Sequence, residues 1–342
     1  MRVAVTGVAG MLGQRLLALL DADDRVGTIV GIDVRDPERG ARKLEFHRLD
    51  ITHADLKSVL EGVDAVVHLA AAVRPAVDAA VARRVNVDAT RRLLDAAAAV
   101  SARRFVRASS AAIYGAWANN SVPLSEDAVL RPNTGFVSAM HDAECERLMF
   151  EWGDAHPGAA VVALRIAPIV GAGVDSLFAA AAAGRAPVEI KGSDRPIQVV
   201  HVDDAARALA FAALGELHGA YNVAADGWLT GAEAMAVTGR SAARPRLSEE
   251  QATRTLRALW NAGLGETRPE VVPYLMHPWV IANDRLRAAG WEPRHTNEEA
   301  LVLAGDPRIA TRHPLPWIAA VAAVVTGVVG ATWWLTRKPR RG

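Results

Sequence analysis

The chain has 342 residues, 51% of them hydrophobic, with 39 Lys and Arg against 38 Asp and Glu and a formal net charge of +1. That length exceeds one ordinary core and predicts a large domain with a smaller companion, and the apolar fraction excludes a disordered chain. Interspersed charge near zero excludes a nucleic-acid partner, and the lone Cys145 excludes a disulfide framework or a cysteine metal site, so no metal is expected.

The chain opens at once on an apolar strand, RVAVT, which leaves no room for a secretory signal and predicts a cytoplasmic body. Further candidate strands follow at 28–33, 44–50, 65–70, 104–110 and 160–167. Helical patterns separate them, notably 81–98, with arginines on one face and alanines and leucines on the other. Near-continuous apolar strands alternating with helices predict a parallel sheet covered on both faces, a doubly wound α/β fold. Residues 1–172 carry this pattern, and 196–215 are expected to return to it. Over 173–304 the pattern loosens around Pro187, Pro196, Pro245, Pro269, Pro273 and Pro278, as in a smaller interleaved lobe.

Gly7, Gly10 and Gly13 in VTGVAGMLG follow the first strand and open a helix at Met11. A turn of this kind lets the backbone approach a pyrophosphate, while the helix start offers N–H groups and a positive dipole end. Gly7, Gly10, Met11, Leu12 and Gly13 are therefore the candidate cradle for a dinucleotide. Asp33, twenty residues past Gly13, ends the second strand. A carboxylate there accepts from ribose hydroxyls and repels a 2′-phosphate, which favours NAD over NADP; Arg35 tempers the preference. Asp50 and Ile51, at the end of the third strand, flank the adenine or open a helix as a plain cap.

Together TGVAGMLG, DI at 50–51, HLAAAV at 68–73, NVDAT at 86–90 and SSAAIYG at 109–115 resemble the extended short-chain dehydrogenase/reductases. More narrowly the chain resembles the NAD-dependent epimerase/dehydratase family that acts on nucleotide sugars. LRIAPIVG (164–171), VVHVDDAARAL (199–209), YNVAADG (221–227) and GWEPRHTNEEAL (290–301) extend the likeness over about residues 1–303. The resemblance implies a Rossmann domain holding NAD(P) beneath a substrate lobe. It implies that the backbone at Ala70 and Ala71 passes the nicotinamide ribose and that Asn86 lies near the active centre. It also implies that Ser110 positions substrate and that Asp203 is structural.

Chemistry in that family depends on a Tyr followed four residues later by a Lys, both on one helix face. The ammonium lowers the pKa of the phenol, which moves the proton. Aligning AECERL with the acidic run after the Lys puts Ser138 at the Tyr position and Asp142 at the Lys position; a shift of two gives Phe136 and Met140. Neither register supplies a phenol or an amine. Tyr114, Tyr221 and Tyr274 are followed at four residues by Ala118, Ala225 and Pro278. Ser110, Ser138 and Asp142 remain as degenerate catalytic positions. His141 and Asp142 are adjacent and do not share a helix face. His68 and His201 read as structural, and Trp228, Trp260, Trp279 and Trp291 either line an apolar pocket or pack the small lobe.

Residues 305–316 form a linker, and 317–335 run without a charge from Trp317 to Leu335. As a helix that stretch spans roughly 28 Å, close to a hydrocarbon core. Trp317, Trp333 and Trp334 sit where interfacial belts would be, and 336–342 form a basic tail. A single-pass membrane anchor with a cytoplasmic body is expected, against the positive-inside preference of Arg337, Lys338, Arg340 and Arg341. Helices at about 81–98 and 138–152 permit a homodimer.

Three functions follow. The first is a membrane-anchored, NAD-binding protein without standard oxidoreductase activity, serving as a cofactor sensor or a structural partner. The second is an active epimerase/dehydratase or dehydrogenase on a nucleotide- or lipid-linked sugar, or a sterol-like substrate, using a divergent acid/base. The third is an interaction module with a vestigial pocket, which the intact glycines and Asp33 oppose.

Overall fold

Seven parallel strands make the central sheet: β1 (Arg2–Thr6), β2 (Thr28–Asp33), β3 (Leu44–Arg48), β4 (Ala65–His68), β5 (Arg104–Ser110), β6 (Ala160–Ile166) and β7 (Gly219–Val223). Their order is β7-β6-β5-β4-β1-β2-β3. The computed structural model describes residues 1–72, 78–174, 176–182, 189–239, 246–263 and 267–305.

The sheet is covered on both faces, as the apolar strand runs predict. Alternation along β1 sends Val3 and Val5 to one side and Ala4 to the other. On the first side lie α1 (Met11–Ala22) and α4 (Val202–Leu214), whose Leu16, Leu20, Leu209 and Ala212 join Val3, Val5 and Val106. On the second lie α2 and α3 (Val137–Ala155), whose Leu93, Met149 and Trp152 meet Ala4, Val66 and Phe105. Each buried leucine of this kind contributes about 1.5–3 kcal/mol. Helix α2 runs from Ala79–Arg83 through a π turn at Arg84–Asp88 into Ala89–Ala99.

Six strands are legible in the sequence, and the structure adds a seventh. β7 comes from YNVAADG, within the region read as the smaller lobe, and pairs with β6 from Gly219–Val162 to Val223–Ile166. As a short edge strand it carries no alternating pattern to mark it. β3 and β4 each end two residues early, and Leu49 N–H to Asp33 O and Leu69 N–H to Thr6 O are the last rungs of their ladders.

The strand order reverses between β1 and β4, so the crevice beyond their carboxyl ends is the place for a ligand. A lobe with two small apolar clusters, around Val199, Leu229 and Leu301 and around Leu247, Leu259 and Val272, carries the other wall. Asp204 on α4 ties the end of the lobe to the sheet: its buried carboxylate accepts from Arg294 N–H, His295 N–H and His295 Nδ1 at 2.8–3.0 Å. Among the described residues no helix is long and apolar enough to cross a membrane. The apolar stretch 317–335, with residues 306–316 before it and the basic tail after it, lies outside the described residues.

Candidate functional site

The glycine loop closes on itself. Gly7 has φ +72°, and a Cβ there would lie 2.8 Å from Ala70 N. At Gly13 a Cβ would lie 2.3 Å from Gly7 O and 2.7 Å from Val8 Cα, so both residues are glycine because the protein's own backbone fills the space. Gly10 differs. It is the N-cap of α1 with ordinary dihedrals and no side-chain cap, and a Cβ there would meet only Gly7 O at 3.1 Å. Its missing side chain leaves the α1 terminus open at Met11 and Leu12, both partly buried, with no acidic group in the first turn. An uncapped helix start of this kind accepts a phosphate.

Asp33 sits beside this opening. Its Oδ2 accepts from Ala9 N–H at 3.0 Å and its Oδ1 from Arg35 N–H at 3.1 Å, which fixes the carboxylate while leaving lone pairs for a ribose. Asp50 closes its own turn by accepting from Thr52 N–H at 2.8 Å, and Ile51 packs into the core.

The end of β4 is held by a buried chain of polar groups. Thr6 Oγ1 lies 2.7 Å from His68 Nδ1, and His68 Nε2 lies 3.0 Å from Thr90 Oγ1. Thr90 donates to Asn86 O at 2.5 Å, so its hydroxyl oxygen must accept from His68 and the imidazole carries its proton on Nε2. Burial, with Arg107 nearby, pulls His68 down to about 3, so the ring stays neutral. Thr6 Oγ1 also accepts from Ala70 N–H at 3.3 Å. Asn86, on the π turn, grips the next peptide: its Oδ1 accepts from Ala72 N–H at 2.7 Å and its Nδ2 donates to Ala72 O at 3.3 Å. Asn86 thus shapes the Ala70–Ala72 loop, and Ala71 is exposed at its tip.

Along α3, Asp142 reaches β5 and Ser138, one turn before it, is partly buried, whereas Met140 is 43% exposed and Phe136 precedes the helix. Asp142 Oδ1 accepts from Arg107 Nη2 on β5 at 2.9 Å. One turn on, Glu146 accepts from Ser109 Oγ at 2.6 Å and pairs with Arg165 Nη2 at 2.8 Å. The Arg107 side chain is 2% exposed and that of Asp142 20% exposed. Burial pushes the Asp142 carboxyl up to about 6 although Arg107 opposes it. Ser110 is partly buried at the tip of β5 and accepts from Ala112 N–H at 3.1 Å.

No tyrosine reaches this corner as a free phenol. Tyr114 donates to Asn222 Oδ1 and accepts from Arg165 Nη1, both at 2.8 Å, and burial raises it to about 12. Tyr274 donates to Ala112 O at 2.8 Å and is likewise raised by burial. Tyr221 lies on the edge strand β7. The arrangement offers a serine and a carboxylate but no phenol–ammonium pair.

The lobe contributes one cation the sequence motifs do not flag. Arg195 is partly buried, and burial pulls its guanidinium down to about 10; among the described residues it donates only to Pro196 O at 3.5 Å. No carboxylate among the described residues pairs with it. A desolvated cation of this kind suits an anionic ligand. Trp279 and Trp291 are core residues, Trp228 is exposed, and Trp260 stacks under Arg268, so the four tryptophans do not form one pocket. His201 caps α4 by accepting from Asp203 N–H, and Asp203 itself pairs with Arg15 at the surface. The buried aspartate of that motif is Asp204, one residue on. Arg107, Glu146 and Arg165 are also missing from the sequence reading; the charges interrupting the apolar runs RFVRASS and AVVALRIA were the available signal.

A family model described as the NAD dependent epimerase/dehydratase family matches residues 3–224. The chain is 29% identical over 308 residues, 87% of its length and 81% of the relative's, to an uncharacterised protein of Mycobacterium tuberculosis. It is 30% identical over 321 residues, 86% of its length and 97% of the relative's, to a 3-diazoavenalumate denitrifying reductase of Streptomyces sp. Among solved structures, MoeE5 in complex with UDP-glucuronic acid and NAD is similar at a TM-score of 0.69 and 25% identity, over 89% of this chain and 97% of that one.

Proposed function

We propose that this chain, which belongs to the NAD dependent epimerase/dehydratase family, binds NAD at the glycine loop and an anionic, nucleotide-sugar-like ligand against Arg195, without the usual proton relay. Gly7, Gly10 and Gly13, with the N–H groups at Met11 and Leu12, hold the pyrophosphate, and Asp33 takes the adenosine ribose. Ala70 and Ala71 border the other ribose. Bound there, NAD supplies two-electron chemistry by hydride transfer. The observation that carries the reading is the α1 start at Gly10, which has no side-chain cap and no acidic group in its first turn, beside an Asp33 carboxylate held by Ala9 N–H.

The residues that would move a proton are altered. Ser138 stands where a phenol is required, Asp142 stands where an ammonium is required and is tied to Arg107, and the two buried phenols are bonded to the protein. The chain is therefore a cofactor-sensing or structural member of its family and does not oxidise sugar alcohols at an ordinary enzymatic rate. The apolar stretch 317–335 would anchor it in a membrane with the body on the cytoplasmic side; nineteen uncharged residues, with tryptophans near both ends, support that placement.

A second reading keeps activity through a divergent acid/base. It is favoured by the Asp142 carboxyl, raised into the range where a group can both take and give a proton near neutral pH.

The test is titration of NADH into the full chain in detergent micelles, following energy transfer from tryptophan to nicotinamide. Saturable binding that Gly10→Asp removes is expected, together with no reduction of bound NAD by UDP-glucose or UDP-glucuronic acid. Silence with both NADH and NADPH would overturn the dinucleotide reading. Turnover that Ser110→Ala abolishes would instead establish the active enzyme.

A further inference from the structure

We propose that Asp142 makes the nicotinamide end of the crevice selective for the oxidised dinucleotide, whose ring is cationic, over the reduced form, whose ring is neutral. This rests on the dinucleotide reading above. The glycine loop follows β1 and Asp33 ends β2, so the adenosine half lies over β1 and β2. The other half must then cross the strand reversal toward β4 and β5. Asp142 stands over β5, on the sheet-facing side of α3, and its partner Arg107 pairs across the ladder with His68, the last residue of β4.

The charge at that corner is one-sided. Asp142 Oδ1 is held by Arg107, whose guanidinium is closed off beneath the sheet edge, while Oδ2 hydrogen-bonds to no described residue and the side chain keeps 20% of its surface open. The other groups facing it contribute little net charge. From β4, His68 is neutral; from α3, Glu146 is matched by Arg165 of β6. Burial, with Arg83 nearby, lowers the His141 imidazole, and Arg83 is itself matched by Glu144. Cys145 is buried and stays a thiol. Asn86 and Thr90 of α2 are uncharged. The Arg107–Asp142 pair is thus a dipole whose negative end is the partly open one. A carboxylate attracts a pyridinium and gains nothing from a dihydropyridine.

Dissociation constants of NAD+ and NADH for the full chain, measured at ~pH 8 and ~pH 5, on either side of the Asp142 carboxyl at about 6, test this directly. At ~pH 8 wild type is expected to favour NAD+ over NADH more strongly than Asp142→Asn does, by on the order of fivefold, about 1 kcal/mol. At ~pH 5 that difference should shrink as the carboxyl protonates. Calorimetry in two buffers of different ionisation enthalpy gives a second readout: proton release on NAD+ binding by wild type and none by the variant. Asn keeps an acceptor for Arg107, and the pH series on wild type needs no variant at all. Equal ratios in both proteins, or a wild-type ratio indifferent to pH, would overturn the inference while leaving the dinucleotide reading intact. Failure of both nucleotides to bind would overturn the two together.

Discussion

Glu146 of α3 and Arg165 of β6 meet at 2.8 Å with both side chains nearly closed off from water. Arg165 then spends its remaining donor on Tyr114 and the Glu126 carbonyl. Removing one charge strands the other, and Glu146→Ala should cost about 3–5 kcal/mol in denaturant unfolding. The paired replacement Glu146→Leu with Arg165→Met should be far milder, and a double-mutant cycle measures the difference. Additive costs would show that the two side chains act independently.

Tyr114→Phe removes one donor and one acceptor from the same buried network, leaving Asn222 Oδ1 without its hydroxyl partner. A loss of about 1–3 kcal/mol is expected by urea titration. NADH affinity should be unchanged, because the phenol is a strut within the sheet and touches no ligand.

Gly7→Ala forces an L side chain into the left-handed region and against Ala70 N. We expect a loss of about 1–3 kcal/mol in stability, read as a lowered thermal midpoint without ligand. Gly10→Ala, whose Cβ would meet only Gly7 O at 3.1 Å, should lower the unliganded midpoint less than Gly7→Ala does and remove most of the stabilisation that NADH provides. An equal fall at both positions in the absence of ligand would contradict the separation drawn between them.

Acid should destabilise the protein through His68. Its imidazole is neutral in the fold down to about pH 3, while an unfolded histidine takes a proton near 6.5. Between those values the unfolded chain binds the extra proton, so this contribution is fully present above about 6.5 and is lost as pH falls toward 3. Each pH unit in the window removes up to about 1.4 kcal/mol. His68→Phe, weaker at neutral pH, should show a flatter acid limb in unfolding measured pH by pH.

Arg195→Gln should abolish binding of UDP, followed by calorimetry, and leave the fold as stable or slightly more so. A desolvated cation with no carboxylate partner among the described residues costs free energy until an anion arrives. Undiminished UDP binding would place the anionic ligand elsewhere.

Much of the site is legible in the sequence because its local chemistry is local. A glycine at positive φ, a helix start and a carboxylate at the end of a strand are short-range facts, and Gly7, Gly13 and Asp33 stand where their spacing suggests. The two candidate registers along FVSAMHDAECERL are distinguishable only in three dimensions. Asp142 reaches Arg107 and Glu146 reaches Arg165 across 35 and 19 residues of chain. Partnerships at that range leave no periodic trace, so the two arginines read as ordinary interruptions of strands. Arg195 was passed over for the opposite reason. What marks it is a missing partner, and a sequence does not display that. β7 was hidden in the same way, being a strand only because β6 offers it an edge.

The π turn in α2 fits one more residue into a helical turn than an α-helix holds. An α-helix advances about 100° per residue, so the extra residue rephases everything beyond it. The segments on either side of Asn86 can therefore be aligned separately: Ala79–Arg83 toward Glu144 of α3, and Ala89–Ala99 with Leu93 and Leu94 in the sheet's core. Deleting a single residue there would mend the helix and misalign it, trading a locally better coil for one whose asparagine no longer points at Ala72. The irregularity works as a rotary joint set at assembly, and the loop beside the crevice takes its shape from that setting.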